Sequence, residues 1–251
     1  MNIDLTDLTR NFGRNTAVNG VTLQAGPGVH GLLGPNGAGK TSLLRMLATV
    51  LPPSSGTLRL LDRDPGDPSA RADIRRRLGY LPQNLGYYPS FTVAEFVEYF
   101  ALLKDVPGSR VPRAVAGAIE RVDLGRKAKA RLRTLSGGML RRVGIAQAIV
   151  NDPELLLFDE PTAGLDPEQR VGFRTLIRDL GRDATVVVST HLVEDVGAAC
   201  SEVGLMAEGK VVFRGTPDEL TAQGEGSAVG DSPLERGYSA VLAASRKRVA
   251  A

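Results

Sequence analysis

The octapeptide GPNGAGKT, residues 34–41, constrains this chain more than any other stretch. It ends an apolar run, VHGLLGP, and opens KTSLLRMLATVL, whose apolar residues recur at helical spacing. Gly34, Gly39, Lys40 and Thr41 match G-x-x-x-x-G-K-[ST] in the strand-to-helix setting that this motif requires. Pro35, Asn36, Gly37 and Ala38 complete the turn, and Ser42 follows it on the helix. Glycines let the backbone curl until several N–H groups face one anion, and the helix N-terminus adds partial positive charge. Lys40 is expected to reach the β- and γ-phosphates of a nucleotide and the Thr41 hydroxyl to sit on Mg²⁺.

Strand-like runs surround this loop: NIDLTDLTR (2–10), AVNGVTLQAG (17–26), GTLRLLD (56–62), RLGYLP (77–82), ELLLFDE (154–160) and ATVVVST (184–190). VGLMAEGKVVFRG reads as a hairpin turning at Glu208 and Gly209. Between about 84 and 150 the pattern turns helical. Thr92 and Glu95 form a capping box ahead of VAEFVEYFALLK. Val115, Ala118, Ile119 and Val122 make an apolar stripe, and another helix is expected from Leu135 to Val150. Asp166 caps a further helix with Pro167 at its first position, and Thr216 caps a short one. The expected fold is α/β: a P-loop core with a mostly parallel sheet, an N-terminal antiparallel β region and an inserted helical subdomain. Residues 1–220 are expected to form the main domain, and 221–251, with the loop GEGSAVGDSP, a short linker and helix.

Composition excludes several alternatives. The net charge of +3 is too small to argue for nucleic acid, and RRR at 75–77, RLR at 131–133 and RKR at 246–248 read first as solvated faces. The single cysteine, Cys200, has no internal disulfide partner and sits in the helical-looking VEDVGAAC as a core residue. No run approaches the ~18 apolar residues that cross a bilayer. MNIDLTDLTR carries no secretory signal pattern, so a cytoplasmic location is expected.

A second constellation closes the run LLLFDE, where an apolar strand ends in Asp159 and Glu160. At a strand's end both side chains can reach one ligand. Asp159 is expected to hold Mg²⁺ directly or through water. Glu160 beside a γ-phosphate is expected to act as the base that polarises an attacking water.

TLSGGMLRR, 134–142, poses a different problem, because it is a second phosphate-suited turn in one chain. With GPNGAGKT and LLLFDE it completes a set that resembles the nucleotide-binding subunit of ATP-binding cassette (ABC) transporters, over about residues 3–220. LSGG at 135–138 is the mark that separates this family from other P-loop ATPases. Gln83 in YLPQN matches the family's Q-loop, Gly164-Leu165-Asp166 its D-loop, and His191 after VVVST its switch histidine.

The resemblance implies a head-to-tail dimer, most simply of two copies, in which Ser136, Gly137 and Gly138 of one domain cover the ATP held by the other. Phe12 would stack on adenine and Val18 would pack beside the sugar and base. Gln83 would contact Mg²⁺ and the water, and His191 would bond the γ-phosphate. Met139 departs from the family's usual glutamine and weakens one polar contact expected there. Transport would need a separate membrane permease, which would hold the chain on the inner face of the cell membrane. LGYYPSFTV (85–93) offers Tyr87, Tyr88 and Phe91 either to that partner or to the chain's own core. GYYPSFTVAE and PLERGYSAVL resemble subunits of export systems for drug-like, lipid or polysaccharide cargo. A nutrient importer is the alternative within the class. A soluble ATPase acting on nucleic acid or ribosomes, and a P-loop kinase, are the alternatives outside it.

Overall fold

The computed structural model describes residues 1–226 and 229–250. β1 (Ile3–Phe12) pairs antiparallel with β2 (Asn15–Ala25) on one edge and with β4 (Ser55–Leu60) on the other. The second sheet has six strands in the order β5 (Leu78–Leu81), β6 (Leu155–Asp159), β7 (Thr185–Thr190), β3 (Gly28–Leu33), β8 (Glu202–Ala207), β9 (Lys210–Gly215). All its pairings are parallel except β8 with β9. Every residue of β6 and β7 is buried. That explains their unbroken apolar runs, since a parallel strand covered on both faces has no solvent side to make polar. The β8–β9 hairpin turns where the sequence expects, with Glu208 and Gly209 both left-handed.

The helices are α1 (Lys40–Leu47), α2 (Pro68–Arg76), α3 (Val93–Leu103), α4 (Val111–Arg121), α5 (Gly137–Ile149), α6 (Pro167–Leu180), α7 (Val193–Ala199), α8 (Pro217–Ala222) and α9 (Pro233–Ala250). The caps read from sequence form: both halves of the Thr92/Glu95 and Thr216/Glu219 boxes are present, and Asp166 accepts from Gln169 N. α5 starts at Gly137 rather than Leu135, because Ser136 is its cap and Leu135 is still extended. Cys200 falls just past α7, where burial pushes its thiol up to about 12.

One helix goes unread in the sequence. α2 carries only Ala70 and Ile74 as buried residues, too few to make a visible stripe. Its signal is the Asp67-Pro68 start, with Asp67 accepting from Ser69 N at 2.8 Å. The RRR run at its end lies at the surface, with Arg75 and Arg76 exposed and Arg77 half-buried, but each is paired. Arg75 donates to Thr49, Arg76 pairs with Asp105, and Arg77 grips both oxygens of Glu154 at 2.7 Å.

Three apolar clusters hold these layers. One lies between the two sheets around α1, with Leu5, Leu8, Leu44 and Leu157. The second joins α3, α4 and α5 to the β5–β6 side and α6, through Phe96, Val97, Ile145 and Phe158. α5 also packs directly on the sheet: a Cβ on Gly79 of β5 would lie 1.9 Å from Ala148 O, so only glycine permits that approach. The third covers β8 with α7, α8 and α9. The close approach of Gly237 to Leu220 and of Leu234 to Gly197 ties α9 onto α8 and α7. Of the GEGSAVGDSP loop, Ser227 and Ala228 lie outside the described residues. No helix among the described residues is long and apolar enough to cross a membrane.

Because β3, β6 and β7 run parallel and adjacent, their carboxyl ends share one edge. That edge receives the 34–39 loop, the Asp159–Glu160 pair and the segment from Ser189 to His191.

Candidate active site

A groove at this edge is lined by Phe12, Thr16, Ala17, residues 36–42, Gln83 and Glu160. Its floor is the turn between β3 and α1. Gly34 and Gly39 are fixed there by close backbone approach. A Cβ on Gly34 would come within 2.3 Å of Met206 O, and one on Gly39, at φ 102°, within 2.2 Å of Ala17 O. Lys40 folds back over the turn, donating to Gly34 O at 2.6 Å and Pro35 O at 3.1 Å, with Glu160 Oε1 at 3.8 Å. Burial holds its ammonium below the ordinary lysine range, against the opposing pull of the Glu160 and Asp159 carboxylates.

Asp159 is fully buried. Its Oδ1 accepts from Thr41 Oγ1 at 3.2 Å and from Ser189 Oγ at 2.5 Å, while Oδ2 is buried with no partner. A buried carboxylate oxygen left unmatched costs free energy. Here it stands beside a hydroxyl, a hard oxygen set of the kind Mg²⁺ prefers. The residues present fit the ion.

Glu160 follows in a left-handed conformation, φ 49°. Its backbone N–H donates to Ser189 O and Oγ, both at 3.1 Å. Its side chain meets Lys40 and also His191, whose Nδ1 lies 2.9 Å from Glu160 Oε2. Lys40, Thr41, Asp159, Glu160 and His191 are thus linked by contacts, and Gln83 shares the groove.

The other predicted residues divide. Phe12 lines the groove and is 44% exposed, its ring 4.8 Å from the Arg10 guanidinium. Val18 is not brought to the groove. It is fully buried in the core between the sheets, while Thr16 and Ala17, where the β1–β2 register shifts between Arg10 and Asn11, line the groove instead. Ser136, Gly137 and Gly138 are not among the lining residues. Ser136 Oγ accepts from Met139 N at 3.3 Å, which leaves its hydroxyl proton free to donate.

Arg141 is the residue the sequence reading missed. From α5 its buried guanidinium donates through Nε to Pro161 O, through Nη1 to Pro82 O and Gln83 O, and through Nη2 to Asp159 O and Glu160 O. All five of its N–H groups thereby meet backbone carbonyls. Burial pushes it down to about 10, against the pull of Asp159 and Glu160. Nothing local in TLSGGMLRR announces this, because the partners lie 18 to 59 residues away in the chain.

Comparison with known proteins places the chain among relatives of shared sequence and fold. The ABC transporter family model matches residues 18–163. Nod factor export ATP-binding protein I of Paraburkholderia xenovorans is 38% identical over 224 residues, 88% of this chain and 72% of that protein. An uncharacterized ABC transporter ATP-binding protein of Bacillus subtilis is 34% identical over 222 residues, 88% of this chain and 73% of that one. The solved ATP-binding subunit of an ABC transporter superposes with a TM-score of 0.85 over 96% of this chain and all of that one, at 22% identity, a likeness of fold. A dimeric bacterial ABC transporter cassette gives 0.79 at 25% identity, covering 85% of this chain and 98% of that one. The chain belongs to the ABC transporter family, as an ATP-binding and ATP-hydrolysing subunit.

Proposed function

We propose that two copies of this chain close head to tail around ATP and drive export through a separate membrane permease. The observation that carries the reading is a separation: Lys40, Thr41 and Glu160 line one groove, with Asp159 bonded to Thr41 and His191 to Glu160, while the Ser136 turn neither lines it nor bonds to these residues. A phosphate-suited turn with no ligand in its own chain finds one in a second copy. The dimeric solved relative supports that arrangement, and nucleotide held by both copies stabilises the closed form by mass action.

In this reading the N–H groups of 34–42 cradle the phosphates, and Lys40 exchanges its carbonyl partners for phosphate oxygens. Phe12 stacks on adenine. Thr41, Asp159 and Gln83 would hold Mg²⁺, which when bound would supply positive charge against the phosphates. Glu160 accepts a proton from the attacking water as the new P–O bond forms and the bond to the β-phosphate oxygen breaks. His191 bonds the γ-phosphate from just past the end of β7. From the second copy, Ser136 donates its free hydroxyl proton, and Gly137 and Gly138 allow close backbone approach.

The permease surface we assign to the segment after Gln83. Tyr88 is 54% exposed, Tyr87 precedes it and Tyr99 lies 6.1 Å from it, both exposed, and Leu102 and Leu103 are exposed farther along α3. Phe91 packs inward, stacked 5.0 Å from Tyr88. An aromatic cluster with its outer half open to solvent supports docking of an apolar partner. Attachment at the inner membrane face follows from that contact. Export, of lipophilic, drug-like, lipid or polysaccharide cargo, is favoured over import by relatives named as export proteins. Residues 1–220 form the ATPase unit in this account, with 221–251 appended.

The test is to purify tagged Glu160→Gln protein from its native membranes with Mg-ATP. Recovery of a stoichiometric multi-span protein is the expected result. Soluble partners or nucleic acid alone would overturn the transport reading.

A further inference from the structure

Two residues beyond Glu160 the chain is tied down again, away from the groove. Thr162, buried in the loop between β6 and α6, donates its hydroxyl to Asp195 Oδ2 at 2.6 Å. Asp195, on α7, is only 5% exposed. Its other oxygen receives Arg174 of α6 twice, from Nε at 3.0 Å and Nη2 at 2.7 Å. These contacts close a ring. Glu160 leads in two residues to Thr162, Thr162 bonds to Asp195, and Asp195 lies four residues after His191. His191 Nδ1 returns to Glu160 Oε2 at 2.9 Å.

Burying a carboxylate is costly, and an apolar contact of similar volume often stabilises as well. What the charged, hydrogen-bonded cluster supplies in addition is direction: each bond fixes one loop against another at a set distance and angle. Here the loops are those that carry Glu160 and His191. None of Thr162, Arg174 and Asp195 lines the groove, and their side chains bond to one another rather than to a residue that does.

We propose that Asp195 is a positioning residue for hydrolysis, holding the Glu160 loop and the His191 loop in register so that both meet the γ-phosphate as one body. This rests on the roles given above to Glu160 and His191. It separates Asp195 from residues that only support the fold, because its effect must pass through His191.

The experiment is a double-mutant cycle in steady-state ATPase kinetics on the full chain. Asp195→Asn is expected to lower kcat by about tenfold or more while KM for ATP stays within about twofold. In a His191→Ala background the same change should cost almost nothing further. Thr162→Val, close in shape, removes only the hydroxyl bond and leaves the Arg174 pair. It should also lower kcat, and Thr162→Ser should restore it, which keeps the test open if Asp195→Asn fails to fold. Losses that multiply independently in the His191→Ala background, or a Thr162→Val enzyme with full kcat, would overturn the proposal. A wild-type protein without ATPase activity, or a His191→Ala protein with full kcat, would instead overturn the site reading and this inference with it.

Discussion

Glu160, the proposed base, sits in a backbone conformation that few non-glycine residues adopt, φ 49°. The strain is held in place by the two bonds from its N–H to Ser189, and such outliers concentrate where side-chain direction matters. Glu160→Gln keeps size and conformation and removes only the proton-accepting charge. Turnover should fall by about 10²–10⁴-fold with ATP affinity retained, measured by phosphate release and by fluorescent-nucleotide titration. Normal turnover would show that the base lies elsewhere. Lys40→Ala has the opposite signature, a loss of nucleotide affinity, because the ammonium interacts with bound phosphates before and during the reaction.

Between elements the decisive contacts come from side chains whose partners are distant in sequence. Arg141 binds α5 to the segment Pro82–Gln83 and to the end of β6. A lysine there has three donors in place of five and lacks the planar fork. Arg141→Met should destabilise the fold by about 3 kcal/mol, lowering Tm by roughly 6–12 °C for a domain of this size; an unchanged melting curve would contradict this account. Lys104, at the end of α3, donates to Arg75 O and Leu78 O at 2.7 and 2.6 Å, and burial holds its ammonium at about 8. Between that value and the ordinary 10.5 the unfolded chain binds more protons than the folded one. Stability from this group therefore rises with pH across the window. Wild type minus Lys104→Met, followed by urea unfolding at pH 7.5 to 10.5, should show that rise, and a flat or falling difference would refute it. Most elements were legible in the sequence because their signals are local: the loop at 34–41, the Thr92 and Thr216 boxes, the runs of β6 and β7. α2 escaped because its apolar face is two residues wide. Arg141, the inward turn of Val18 and the Thr162–Asp195 bond depend on how distant segments meet, which no local pattern encodes.

At the scale of the whole molecule, the proposed pairing has one chain hold two halves of different sites. The 34–42 turn with Asp159 and Glu160 would serve the chain's own nucleotide, and the Ser136 turn that of a second copy. Closed two-fold pairing then makes a specific demand, because each site takes its two halves from different copies. Complementation tests this most directly. Lys40→Ala and Ser136→Arg proteins should each be almost inactive alone, since every site in either pair carries a defect. Mixed and allowed to exchange, half the dimers unite a Lys40→Ala copy with a Ser136→Arg copy, and each of these has one site with both halves intact. ATPase activity should return to about a quarter of the wild-type rate. A mixture as inactive as its parents would contradict the shared-site account.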